Sequence, residues 1–239
     1  SVVIVHRIGA PVTDDALLRA ARERFPNATI AGGTAGAFCE INRARARVGS
    51  WDAVCFSLSP QVHGMDDLTI AENTAAVGDA LRTARQFAPH TRVWLSPTTL
   101  ARLPDPFAAG NDGRVAPPTI DPRARAPLAA AWWLAILRQA ALHGASSITI
   151  ADPIEQDGRP TPLGTMLARL RSLSAHPAYD LADLDGRWQF GVAFIAQRTT
   201  FLLGNLSWQS ARLRLSSDRE IELPPHSVQI LEDQCPAAS

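Results

Sequence analysis

Charged and amide side chains cluster directly after two short apolar runs of the chain. The first cluster holds Glu40, Asn42 and Arg43, and the second holds Gln61 and His63. Glu40 or His63 could take a proton from water, and Arg43 could stabilise the oxyanion that forms when water attacks a carbonyl carbon. The two amides could bind substrate hydroxyl groups through paired donors and acceptors. These residue types could together hydrolyse an ester-like carbonyl.

Four further side chains could support this chemistry. Arg7 offers a second positive charge for an oxyanion. Asp66 or Asp67 could fix the tautomer of the His63 ring. Asp152 follows a later apolar run and is a supporting acid.

Several of these residues also have a purely structural interpretation. Glu40 and Arg43 stand three positions apart, a spacing that suits an ion pair on a helix. Asp66 and Asp67 could cap a helix rather than take part in catalysis. His63 could be a structural histidine with satisfied hydrogen bonds. The sequence leaves both interpretations open.

Two other hydrolytic mechanisms have weaker support. The sequence contains no Gly-x-Ser-x-Gly segment, which argues against a serine hydrolase. Glu40, His63 and Asp66 could ligate a divalent ion, but their spacing matches no standard metal signature. We therefore expect no cofactor, with a divalent metal as the alternative.

Short apolar runs alternate with amphipathic stretches over residues 1–176, a pattern that predicts βα units with a parallel sheet. The expected strands are Val2–His6, Thr29–Gly32, Ala53–Leu58, Arg92–Ser96 and Ile148–Ala151. The expected helices are Asp14–Phe25 capped by Thr13, a stretch from Asp66 towards Pro89, Arg125–His143 and Pro162–Ser172. Because active-site residues of barrel enzymes follow the strands, both clusters would lie at one edge of this sheet.

About five strands and four helices fall short of the eight of each in a closed (β/α)₈ barrel. We therefore expect an α/β fold in which residues 1–176 form the C-terminal part of a TIM barrel, about strands 4–8, with the first strands missing or supplied by something else. A smaller doubly wound sheet is the alternative. Residues 177–239 show period-two alternation without helices, which predicts a small antiparallel β-sandwich domain.

The composition narrows the classes of partner. The 23 basic and 23 acidic side chains cancel, so no global field favours nucleic acid or an anionic membrane surface. No apolar run reaches the ~18 residues that a spanning helix requires. Three cysteines without metal-ligand spacing fit a reducing cytoplasm. We expect a cytoplasmic protein with a small-molecule partner, and the oligomeric state stays open.

Short motifs occur along most of the chain. They are Gly32-Gly33-Thr34, Phe38, Glu40-Ile41-Asn42-Arg43, Pro60-Gln61-Val62-His63, Asp66-Asp67, Ser96-Pro97-Thr98-Thr99-Leu100, Asp121-Pro122-Arg123, Ala131-Trp132 and Leu203-Gly204-Asn205-Leu206. Taken together, these motifs resemble the D-apionate lactonase family. The resemblance implies a glycoside-hydrolase-like TIM barrel with a C-terminal β domain. It also implies a bacterial hydrolase that opens the sugar lactone apionolactone to apionate in the catabolism of apiose.

The chain departs from the family pattern near the expected site. Ala35 stands where the family has Asn, and Asp152 stands where it has Glu. A carboxylate shortened by one methylene can lose its alignment in a preorganised site. These departures leave a noncatalytic sugar-binding relative as an alternative.

A glycoside hydrolase is the rival enzyme, and it needs two carboxylates that flank the scissile bond. In the barrel glycosidases that the chain resembles, those acids follow the fourth and seventh strands. On our strand count these positions hold His6-Arg7 and Ser96-Pro97, without a carboxylate. The sequence therefore favours a lactonase or another carbohydrate hydrolase.

Overall fold

Five parallel strands form the main sheet of the protein. The computed structural model describes residues 1–6, 10–44, 51–103, 120–181, 184, 188–216 and 219–234. The strands are β1 (Val2–Ile4), β2 (Thr29–Ala37), β3 (Ala53–Leu58), β4 (Arg92–Thr98) and β5 (Ser147–Ile150). They pair in the order β1-β2-β3-β4-β5, and each pair is parallel. This sequential order is that of consecutive barrel strands, whereas a doubly wound sheet reverses its order at a switch point.

Helices follow or precede these strands. They are α1 (Asp15–Arg24), α2 (Phe38–Ala44), α3 (Asp67–Phe87), a 3₁₀ helix (Pro122–Arg125), α4 (Pro127–Leu142) and α5 (Pro162–Leu173). The prediction that Thr13 caps α1 is wrong. Asp14 is the cap and accepts the backbone N–H of Leu17 at 2.8 Å. The Thr13 hydroxyl is buried and donates instead to the Val5 carbonyl oxygen at 2.6 Å.

The two faces of the sheet carry different apolar clusters. The helix-side cluster contains Leu18 and Ala21 of α1 and Ile41 of α2, with Ile30, Val54, Trp51 and Ala88. The barrel-side cluster consists of Ala31, Ala53, Cys55 and Trp94, against which Ile4 packs. Because successive strand residues point to opposite faces, these clusters identify the face on which each strand side chain lies.

The C-terminal part is antiparallel. A short hairpin pairs β6 (Glu155–Gln156) with β7 (Arg159–Pro160). The strands β8 (Ala178–Leu181), β9 (Gln189–Ile195), β10 (Arg198–Asn205) and β13 (Ser227–Gln234) form a sheet in the order β13-β10-β9-β8. A two-stranded ribbon joins β11 (Ala211–Ser216) to β12 (Arg219–Leu223). Leu203, Leu213 and Leu223 form the buried core of these strands.

The chain divides into two compact units. The first contains residues 1–65, 75–121 and 139–152, and the second contains residues 66–74, 122–138 and 153–239. The five parallel strands lie in the first unit, and the antiparallel strands lie in the second. The predicted domain boundary at residues 176 and 177 stays a prediction. None of the described helices is long and apolar enough to cross a lipid bilayer.

Candidate functional site

Gln61 lies just after β3, at the carboxyl edge of the parallel sheet. Its side chain is buried, and its Nε2 group donates hydrogen bonds to the Leu100 carbonyl oxygen and to Asp121 Oδ2. Both amide hydrogens are therefore bonded within the first unit. Gln61 ties the segment after β3 to the segment after β4.

Asp152 lies two residues beyond β5 and has a similar role at the same edge. It is only 7% exposed. Its Oδ1 accepts the Thr99 hydroxyl at 2.6 Å, and its Oδ2 accepts the Leu100 backbone N–H at 2.8 Å. The carboxylate therefore joins the segments that follow β4 and β5.

Glu40 and Arg43 form an ion pair on α2. Arg43 Nη1 lies 2.8 Å from Glu40 Oε1, and the Arg43 side chain is 73% exposed. The Cys39 thiol donates to the same Glu40 oxygen at 3.4 Å. Burial and this hydrogen bond raise the pKa of the Cys39 thiol above its ordinary value. The Glu40 carboxylate thus has two partners on its own helix.

The surroundings of α2 show where this helix is anchored. Ile41 lies in the helix-side cluster, and Phe38 packs against that cluster. The ring of Phe38 is centred 5.0 Å from the ring of Phe56 on β3. Asn42 Oδ1 is buried and has no hydrogen-bond partner among the residues that the structure describes. Asn42 thus has a hydrogen-bond acceptor that no described residue uses.

His63 and Arg7 are two further candidates from the sequence analysis. His63 is exposed in the segment between β3 and α3. Arg7 falls outside the described residues.

Asp66 and Asp67 lie in the second unit, at the start of α3. Asp66 accepts the Thr69 backbone N–H at 2.9 Å and the Thr69 hydroxyl at 2.7 Å, as a helix cap does. These hydrogen bonds hold the pKa of the Asp66 carboxyl below its ordinary value. Asp67 Oδ1 forms an ion pair with Arg123 Nη1 at 2.7 Å. Within the described residues, no three His, Cys, Asp or Glu side chains form a group that could hold a metal ion.

The sequence analysis placed His6 at the end of the first expected strand but gave it no catalytic role. Its Nδ1 atom is buried and has no hydrogen-bond partner among the described residues. Burial lowers the pKa of its imidazole from the ordinary value of 6.5. The available signal was its position two residues beyond the end of β1, in an apolar run that alternates between the two faces of the sheet. Nothing in the sequence showed that its Nδ1 atom would be buried with no hydrogen-bond partner among the described residues.

Comparison with known proteins shows which family the chain resembles. A model of the D-apionate lactonase TIM barrel domain matches residues 9–176. The D-apionate lactonase of Brucella anthropi is 27% identical over 230 residues, in an alignment that covers 89% of this chain. The chain spans only 37% of the length of that relative.

The solved structures that align with this chain are more distant in sequence. A glucosidase from Croceicoccus marinus aligns with a TM-score of 0.49 at 12% identity, over 88% of this chain and 48% of its own. A family 51 α-L-arabinofuranosidase from Bifidobacterium longum aligns with a TM-score of 0.49 at 10% identity, over 92% of this chain and 62% of its own.

Proposed function

The chain belongs to the D-apionate lactonase family, and we propose on this basis that it hydrolyses a sugar lactone of the D-apionolactone type to the aldonate in carbohydrate catabolism. The match over residues 9–176 is the observation that carries this proposal. The name of the Brucella anthropi relative supports a lactone as the substrate.

The proposed reaction adds water across the lactone ester bond. The water oxygen attacks the carbonyl carbon, a base accepts the water proton, and hydrogen-bond donors stabilise the oxyanion. The bond from the carbonyl carbon to the ring oxygen then breaks, and the ring oxygen takes up a proton. The product is a hydroxy acid that ionises at neutral pH and releases one proton.

The bonding of the candidate carboxylates favours a lactonase over a glycoside hydrolase. A glycoside hydrolase needs two carboxyl groups available to the glycosidic oxygen and the anomeric carbon. Asp152 is buried and bonded to Thr99 and Leu100, and Glu40 is bonded to Arg43 and Cys39. Lactone hydrolysis needs only one general base, and an uncharged side chain such as a neutral imidazole can act as that base.

The test offers D-apionolactone and a panel of five- and six-membered sugar lactones to the intact native protein. Proton release is followed with a pH indicator, and the spontaneous hydrolysis rate of each lactone is subtracted. We expect saturable release with at least one lactone and no release of nitrophenol from nitrophenyl glycosides. Release from a glycoside alone would instead identify a glycosidase. Sugar binding without turnover of either class would identify a binding protein.

Two substitutions test the residues that the sequence singled out. Glu40→Gln removes the ion pair with Arg43, and His63→Ala removes an exposed imidazole. If both variants keep full lactonase activity, the assignment of the site to these two residues is wrong. The proposed function itself would survive that result, because it rests on the family match.

A further inference from the structure

His6 lies on the barrel side of the parallel sheet. Val3 and Val5 pack against the helix-side cluster, whereas Ile4 packs against the barrel-side cluster. Alternation along an extended segment therefore puts His6 on the same face as Ile4, one layer nearer the carboxyl edge. In barrel enzymes this layer borders the active site.

The neighbouring positions on this face carry small side chains. Gly33 pairs with Cys55, and Ala37 pairs with Ser57, in the register of β2 and β3. The register shifts between these two pairs. Cys55 belongs to the barrel-side cluster, so its partner Gly33 and Ser57, two residues further along β3, lie on that face.

The backbone beside His6 is fixed by a hydrogen-bonded bridge. The Thr13 hydroxyl donates to the Val5 carbonyl oxygen at 2.6 Å and accepts the Gly33 backbone N–H at 3.0 Å. The Val5 N–H donates to the Ala31 carbonyl oxygen at 3.0 Å. This bridge holds the end of β1 against β2, and a catalytic side chain requires such a rigid support.

The ring itself is available for proton transfer. Its buried Nδ1 has no partner among the described residues. Cys55, the titratable side chain of the barrel-side cluster, has a pKa raised by burial to about 12 and is therefore uncharged at neutral pH. Burial also lowers the pKa of His6, which keeps its imidazole neutral and able to accept a proton.

We propose that His6 is the general base of lactone hydrolysis, an inference that rests on the proposed function. A ring nitrogen of His6 removes one proton from water as the water oxygen bonds to the lactone carbonyl carbon. The resulting imidazolium returns this proton to the ring oxygen when the acyl–oxygen bond breaks. The enzyme is thereby regenerated, and water has been added across the ester.

The test compares His6→Gln and His6→Ala with a matched control, His90→Gln, in the intact protein. His90 is an exposed histidine before β4, away from the carboxyl edge. We expect both His6 variants to lose about 10²–10⁴-fold in kcat with little change in KM. Added imidazole should restore part of the activity of His6→Ala. The control should keep the wild-type rate, and circular dichroism should show that all three variants fold.

A second measurement uses the wild-type protein and so does not depend on the folding of any variant. Histidines are modified with diethyl pyrocarbonate, with and without the lactam analogue of D-apionolactone, and peptides are analysed by mass. We expect the lactam to protect His6 and to leave His90 unprotected. Equal modification of His6 in both samples, or full activity of His6→Gln, would overturn the assignment of His6. Wild-type protein that hydrolyses no lactone would instead refute the proposed function, and the role of His6 with it.

Discussion

Replacing Asp152 with alanine should destabilise the first unit strongly. The carboxylate accepts hydrogen bonds from the Thr99 hydroxyl and the Leu100 N–H, and both of these residues are at most 2% exposed. Alanine leaves two buried donors without this acceptor. Hydrogen bonds to a charged group contribute about 1.5–3 kcal/mol each, so Asp152→Ala should cost about 3–5 kcal/mol. Thr99→Val removes one of the two bonds and should cost about 1–2 kcal/mol.

Urea unfolding at neutral pH measures these losses, and amide hydrogen exchange at Leu100 localises them. Glu23→Ala is the matched control, because Glu23 is an exposed acid on α1 and its loss should change stability by no more than about 0.5 kcal/mol. A loss below about 1 kcal/mol for Asp152→Ala would refute the reasoning, because the predicted unsatisfied donors would then have found other partners. An unchanged rate of amide hydrogen exchange at Leu100 would show that the lost stability does not come from the hydrogen bond between Leu100 and Asp152.

Three further predictions concern other parts of the first unit and the hairpin. Gly33→Ala should prevent folding, because an added Cβ would lie 1.8 Å from a carbonyl oxygen of β3. In the control Gly158→Ala the added Cβ meets no atom within 4 Å, so this variant should lose only about 1–2 kcal/mol of stability for its φ of +73°. Soluble yield and thermal unfolding compare the two variants. Asp52→Asn should cost about 1 kcal/mol at pH 7. The Arg22 hydrogen bond lowers the pKa of Asp52, so its contribution is present above the ordinary pKa of 3.8 and is lost as the pH falls through the folded value. A difference from wild type that stays constant between pH 7 and pH 2.5 in urea unfolding would contradict this. Finally, kcat/KM for lactone hydrolysis should fall on the acid side with a midpoint below 6.5, because only neutral His6 accepts a proton and burial lowers its pKa; a midpoint above 6.5 would exclude His6 as the titrating base.

The sequence predicted the parallel sheet well because its strands are short, apolar and separated by helical stretches. The expected strand Ala53–Leu58 is β3 with the same bounds, and the order of all five strands follows the chain. The helix α2 was not among the expected helices, because it follows β2 without a polar cap or a turn signal, although the spacing of Glu40 and Arg43 suited a helix.

The candidate site was harder to predict, because a residue type does not show which partners a side chain will find. Gln61 had suitable donors for a sugar hydroxyl, yet both of its amide hydrogens bond within the protein. For Asp66 the sequence allowed either a catalytic role or a helix cap, and its hydrogen bonds to Thr69 are those of a cap. Such partners depend on the register of strands and on the path of loops, which single motifs do not specify.

Asp152 stands where the family has Glu, and its bonding bears on the proposal that His6 is the base. A carboxylate on a short side chain stays close to its backbone, and Asp152 is buried against the segment that follows β4. A residue bonded in this way contributes to the alignment of two strand ends. In our proposal the proton transfer comes from a group with an unused nitrogen on the barrel side of the sheet. His6 meets that requirement, because it lies on this face and its buried Nδ1 has no hydrogen-bond partner among the described residues. Asp152 then acts on the chemistry only by holding the sheet edge in place.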